Sequence, residues 1–269
     1  MSTLGHIPVG GRRGGTAVLK EEKGRVAIVT GAAGGLGSNV ARLLASSGHS
    51  LALVDNNQQA MTTLLDELHH FDTRVEGILA DLTSGLECLR VVSQTVNTFG
   101  RVDVLVNAAA ILARTSLEDV TDAAFQRVFS VNCKAPFLLA REVIKDMEKR
   151  RWGRIVNITS IGVYEGGANM TSALYEASKG AVAVFTKMFA KYGASKGILV
   201  NTVCPGAMRT AMLLDETPPE VVKNYELRIP LGRLADPAEV ARVVVFLSGD
   251  EVSYVTGATF DVNGGLVMP

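Results

Sequence analysis

Short apolar runs recur along the chain, separated by longer stretches with helical spacing. Val26-Ala27-Ile28-Val29, Leu51-Ala52-Leu53-Val54, Val104-Leu105-Val106, Ile155-Val156-Asn157-Ile158 and Ile198-Leu199-Val200-Asn201-Thr202-Val203 are rich in β-branched residues. Runs that do not alternate between apolar and polar are expected of strands covered on both faces, as in a parallel sheet. A further apolar run precedes Asp81-Leu82-Thr83, with Thr83 as a candidate helix cap. Helix-length segments fall near 36–47, 57–69, 84–99, 122–150 and 175–192. One more is expected from Pro237 to Leu247, with Asp236 as N-cap and Pro237 in the first helical position. Strand–helix alternation over this length predicts an α/β fold: one doubly wound parallel-sheet domain over 24–269, with right-handed crossovers and helices on both faces. Residues 1–23, with Gly10, Gly11, Gly14 and Gly15 and no apolar centre, are expected to form a flexible N-terminal extension.

Hydrophobic residues make up 47% of the 269 and charged residues 20%, a balance that allows a large core. Lysine plus arginine equals aspartate plus glutamate at 27 each, so no global field draws the chain to nucleic acid. Cys88, Cys133 and Cys204 are widely spaced, match no metal-binding pattern and are expected as reduced thiols in a cytoplasmic protein. No apolar run approaches the ~20 residues that a membrane helix needs.

Two features carry chemistry. After the first strand comes Thr30-Gly31-Ala32-Ala33-Gly34-Gly35-Leu36-Gly37, leading into a helix. Glycine there lets backbone approach a diphosphate, and the helix N-terminus offers free N–H donors, as in a Rossmann-type nucleotide site. Asp55, at the end of the second strand, can accept hydrogen bonds from ribose hydroxyls and would repel a 2′-phosphate, which predicts NAD over NADP. The second feature is Tyr175-Glu176-Ala177-Ser178-Lys179, which places a phenol and an ammonium one helical turn apart. A neighbouring ammonium favours the phenolate and lowers a phenol pKa from ~10, as suits a tyrosine trading protons with an alcohol or ketone. Tyr192-Gly193-Ala194-Ser195-Lys196 repeats the pattern.

With the glycine turn, Asp55 and the tyrosine–lysine pair in this order, the chain resembles the short-chain dehydrogenase/reductase family from Lys23 to Gly265. The family's T-G-x-x-x-G-x-G appears as Thr30, Gly31, Gly35 and Gly37, its adenine-edge step as Asp81-Leu82, and its N-N-A-G in part as Asn107-Ala108-Ala109-Ala110. Its asparagine, serine and Y-x-x-x-K match Asn132, Ser160, Tyr175 and Lys179, and its P-G-x-x-x-T matches Pro205, Gly206 and Thr210. Pro230-Leu231-Gly232-Arg233 and Val262-Asn263-Gly264-Gly265 look like its closing motifs. Tyr192 closes the helix that Tyr175 opens, ~26 Å away at 1.5 Å per residue, and is set aside.

The resemblance implies hydride transfer between NAD(H) and a secondary alcohol or ketone, catalysed by Asn132, Ser160, Tyr175 and Lys179. Tyr175 would be the general acid/base, Lys179 would hold the nicotinamide ribose, Ser160 the reacting oxygen, and Asn132 a water. The cofactor would be held by Gly31, Gly35, Leu36, Gly37, Asp55, Asp81, Leu82, Asn107, Tyr175, Lys179, Pro205, Gly206, Met208 and Thr210, and no metal is expected. Ser172 is the alternative to Ser160. Met208, Met212, Leu213, Leu214 and Tyr225 are expected either as a lid over the substrate or as core, and Tyr164 and Glu165 as further pocket residues. A homodimer or homotetramer is expected. Two rival functions remain open: an NADPH-dependent 3-oxoacyl reductase, and a catalytically silent nucleotide-binding regulator.

Overall fold

The computed structural model describes residues 24–166, 172–215 and 217–269, and the expected 1–23 extension lies outside them. Strands β1 (Val26–Thr30), β2 (Ser50–Asp55), β3 (Val75–Leu79), β4 (Val104–Asn107), β5 (Gly153–Ile158), β6 (Ile198–Pro205) and β7 (Thr259–Val262) form one parallel sheet in the order β3-β2-β1-β4-β5-β6-β7. The five apolar runs form five of its seven strands, and β1 is buried at every position. Helices α1 (Gly35–Ser46), α2 (Gln58–Leu68), α3 (Gly85–Phe99), α4 (Asp122–Phe129), α5 (Ala135–Arg150), α6 (Gly162–Glu165), α7 (Ala173–Gly193), α8 (Ala211–Leu214), α9 (Pro219–Arg228) and α10 (Pro237–Ser248) connect them.

Alternate strand positions feed two cores. Val26, Ile28, Leu105, Ile155 and Val200 pack with residues of α3, α5 and α7. Ala27, Val29, Val104, Val106 and Val203 pack with α1, α2 and α10. This burial on both faces is why the strands read as unbroken apolar runs. Asp236 caps α10 in a full capping box with Glu239. Thr83 does not cap α3. Ser84 does, accepting from the Glu87 N–H at 3.4 Å, while the Thr83 N–H donates to Asp81.

The long helix expected over 122–150 is interrupted. Residues Ser130–Lys134 form a π turn between α4 and α5. Pro136 has no N–H to give the Asn132 carbonyl at the usual four-residue spacing, and the chain answers with a wider turn. The end of α7 also differs. Gly193 is its last residue, but a 3₁₀ turn over Ala194–Lys196 follows and the chain leaves it at Gly197, φ +75°.

A buried polar row fixes α7 to the sheet. Asn107, Asn157 and Thr202 are register partners on β4, β5 and β6. Asn107 Nδ2 donates to Asn157 Oδ1 at 2.8 Å, Asn157 Nδ2 donates to Thr186 Oγ1 of α7 at 2.9 Å, and Thr202 Oγ1 donates to Thr186 Oγ1 at 2.9 Å. Such groups are costly to bury unless paired, so the row specifies where α7 must sit. Thr186→Val is expected to destabilise the protein by about 1–3 kcal/mol in denaturant unfolding, because two buried donors lose their acceptor. A loss under about 0.5 kcal/mol would show that the row does not hold the helix.

Candidate active site

Between β1 and β4 the strand order reverses, and at the carboxyl ends of the strands there lies an open cleft. A reversal of this kind leaves the crevice in which open α/β sheets bind ligands. At its centre Gly31 turns at φ +62°, where a Cβ would fall 2.7 Å from the Ala109 Cα. A Cβ at Gly37 would fall 2.0 Å from the Gly31 carbonyl oxygen, and one at Gly35 2.7 Å from Thr210 Cγ2. Bare backbone is therefore required here, and Gly34, Gly35, Leu36 and Gly37 present the uncapped first turn of α1 to the cleft. Free N–H groups at a helix start suit an anion, so this cradle fits the diphosphate of a dinucleotide.

On one side of the cradle Asp55 lines the cleft. Its Oδ2 accepts the Ala33 N–H at 3.0 Å, and its Oδ1 accepts those of Asn56 and Asn57 at 2.8 and 3.0 Å. These bonds fix the carboxylate at the rim. Asp81 and Leu82 line the same end, and the Thr83 N–H holds the Asp81 carboxyl below its ordinary range. Of the described residues lining the cleft, Lys179 is the sole cation. It stands beside β5, three strand spacings from β2, or ~14 Å at ~4.8 Å each.

At that far end Tyr175 and Lys179 enter the cleft from α7, with Ile158, Val131, Met208 and Met212 around them. Lys179 is 2% exposed, and its Nζ donates to the Ile158 carbonyl at 2.8 Å and lies 5.5 Å from the Tyr175 ring centre. Burial lowers the Lys179 pKa to about 8. The Tyr175 phenol is not acidified, contrary to expectation. Burial first, then the Glu176 carboxyl beside it, push its pKa up. The ammonium is aimed at the β5 carbonyl, and desolvation already weakens its charge.

Asn132 sits in the π turn with no exposed surface. Its Nδ2 donates to the Ile111 carbonyl at 2.9 Å and its Oδ1 accepts the Ile111 N–H at 2.8 Å, so it clamps the loop after β4. Nδ2 also approaches Ser178 Oγ at 3.1 Å, and Ser178 Oγ donates to the Tyr175 carbonyl at 2.6 Å. Ser178, inside the tyrosine–lysine pentapeptide, thus links Asn132 to the helix that carries the pair, a role that sequence reading missed. Ser160 follows β5, and its Oγ accepts the Gly162 N–H at 3.2 Å. Ser172 is buried at the start of α7.

Three expected cofactor residues are not in the cleft wall. Asn107 is buried and its amide N–H is spent on Asn157, while its Oδ1 has no hydrogen-bond partner among the described residues. Pro205 and Gly206 are held back by the sheet: Pro205 ends β6, and the Gly206 N–H donates to Val262 at 3.0 Å. Met208, Thr210 and Met212 form the wall instead. Leu213 and Leu214 lie in α8, Leu214 exposed, and Tyr225 is half-buried on α9. Glu165 pairs with Arg228 of α9 at 3.3 Å, and Tyr164, its phenol pushed up to about 12 chiefly by burial, is 40% exposed. Tyr192 is 55% exposed, with Lys196 stacked on its ring, far from the cleft.

Comparison with known proteins agrees with this geometry. Residues 31–267 match the family model described as enoyl-(acyl carrier protein) reductase. The chain is 38% identical over 248 residues to 3-oxoacyl-(acyl-carrier-protein) reductase FabG of Thermotoga maritima, covering 91% of this chain and 99% of that one. It is 36% identical to acetoacetyl-CoA reductase of an Acinetobacter species, covering 93% and 100%. It is also 36% identical to glucose and ribitol dehydrogenase homolog 2 of Arabidopsis thaliana, covering 91% and 86%. A crystal structure of F189W actinorhodin polyketide ketoreductase with NADPH superimposes with a TM-score of 0.84 at 32% identity, covering 92% of this chain and 99% of that one. The chain belongs to the short-chain dehydrogenase/reductase family, and it is an oxidoreductase acting on CH–OH and keto groups.

Proposed function

We propose that the protein transfers a hydride between NAD(H) and a secondary alcohol or ketone, with Tyr175 as the general acid/base. The observation that carries this reading is the pairing of Tyr175 with buried Lys179 in one wall of a cleft whose other end is the glycine cradle and Asp55. A bound nicotinamide supplies or accepts the hydride. Tyr175, kept protonated by burial and by Glu176, gives its proton to the substrate oxygen in reduction and takes it back in oxidation. Lys179 holds the cofactor ribose, Ser160 donates to the reacting oxygen, and Asn132 fixes the Ile111 loop beside it. No helix among the described residues is long and apolar enough to cross a membrane.

Asp55 supports NAD, since a fixed carboxylate at that rim disfavours a 2′-phosphate and no cation among the described lining residues would offset it. A second reading, an NADPH-dependent 3-oxoacyl reductase, is favoured by the names of two relatives and by the NADPH of the ketoreductase crystal structure. A homodimer or homotetramer fits the exposed Phe125 of α4 and Val184 and Met188 of α7.

Tyr175→Phe is expected to lower kcat by about 10²–10⁴-fold while dinucleotide binding, followed by fluorescence titration, persists. Tyr192→Phe stays within about twofold of the parent, because its ring touches solvent and Lys196. The reverse pattern would overturn the choice of tyrosine. Steady-state rates with NADH and NADPH decide the cofactor: the parent favours NADH, and Asp55→Ala narrows that preference by on the order of tenfold. A parent that already prefers NADPH establishes the second reading.

A further inference from the structure

Glu176 follows Tyr175 in the chain, and beyond helping to keep that phenol protonated it is built into the same corner as Ser160. Its carboxyl group fills the space over Gly162: a Cβ at that glycine would fall 2.0 Å from Glu176 Cδ and 2.0 Å from Oε2. Oε2 is buried and has no hydrogen-bond partner among the described residues. The Ser160 hydroxyl bears on the same carboxyl, while Ser160 Oγ already accepts the Gly162 N–H. A hydroxyl has one proton to donate. Ser160 can give it to Glu176 or to a substrate oxygen, not fully to both.

We infer that Glu176 is a positioning residue that sets the direction of the Ser160 hydroxyl. With Glu176 ionised, the serine proton is drawn to the carboxylate and the substrate oxygen loses a donor. With Glu176 neutral, the acid O–H can donate to Ser160 Oγ, and the serine proton turns to the substrate. Ionising Glu176 releases one proton to solvent; Ser160 keeps its own proton in both states, and only the direction in which it is donated changes. The inference rests on the proposed role of Ser160.

The surroundings favour the neutral form. Burial raises the Glu176 pKa, opposed by the Ser160 hydroxyl and by the Lys179 ammonium, and Glu165 of α6 adds to the rise. Glu165 is itself paired with Arg228 of α9. Tyr175 on the same helix and Cys204 of β6 also feel Glu176, and both are kept protonated, chiefly by burial. Residues 167–171 carry no ionisable side chain. The sign follows: a carboxyl with a raised pKa is neutral below it, so the serine contribution is present at low pH and fades as pH rises through the Glu176 ionisation.

The test is the pH profile of kcat/KM for ketone reduction in the parent, Glu176→Gln and Ser160→Ala. In the parent, kcat/KM falls on the order of tenfold as Glu176 ionises, the scale of one hydrogen bond. Glu176→Gln, whose amide can donate to Ser160 at every pH, loses that limb, and Ser160→Ala is slower throughout and lacks it too. The same limb surviving in Glu176→Gln overturns the inference. Independently of turnover, the Glu176 carboxyl is titrated by infrared difference spectroscopy in the cofactor-bound protein. Ser160→Ala raises its midpoint by about one pH unit, since the hydroxyl favours the charged form. An unmoved midpoint overturns the inference as well. If Tyr175→Phe keeps full turnover, the proposed mechanism fails, while the midpoint shift still reports on the Ser160–Glu176 contact.

Discussion

An ammonium taken out of water must find oxygen, and Lys179 imposes that demand on the whole site. At 2% exposure it has the Ile158 carbonyl at 2.8 Å, and its position depends on α7 lying flat against β5 and β6. The row from Asn107 through Asn157 and Thr202 to Thr186 meets that requirement from the sheet side. One face of one helix therefore carries Tyr175, Ser178, Lys179, Val182 and Thr186, at steps of three or four residues, apart from the adjacent Ser178 and Lys179. The chemistry at its start and the anchoring at its middle belong to the same stripe. A change in either is felt by the other through rigid backbone.

Charge along the cleft is polarised. Two carboxylates, Asp55 and Asp81, sit at the β2–β3 end, and the single described cation sits by β5. The phenol was expected to be acidified by Lys179, and burial and Glu176 push it up instead.

Much of the architecture was legible because strands buried on both faces leave a plain apolar signature. β3 and β7 were harder. β3 carries Glu76 and Gly77, and β7 is an edge strand of four residues including exposed Asp261, for which neither length nor pattern speaks. The break at Ser130–Lys134 was marked only by Pro136, inside a stretch whose periodicity otherwise continues. In the site, local spacing was enough for the tyrosine–lysine pair and the glycine turn. It could not show that Asn107 faces Asn157, fifty residues away, instead of the cleft. It did offer Met212, from the segment after β6, as either lid or core, and that residue lines the cleft while Pro205 and Gly206 do not.

Gly162 has no left-handed backbone requirement, yet it cannot be exchanged freely. Its missing methyl group is the volume that the Glu176 carboxyl occupies. The two positions are therefore yoked during sequence divergence. A lineage that shortens the acidic side chain releases its glycine to accept alanine or serine, and a lineage that gains the methyl first must evict the acid. Among descendants of this chain the pair should drift as a unit, although the two stand fourteen positions apart in sequence.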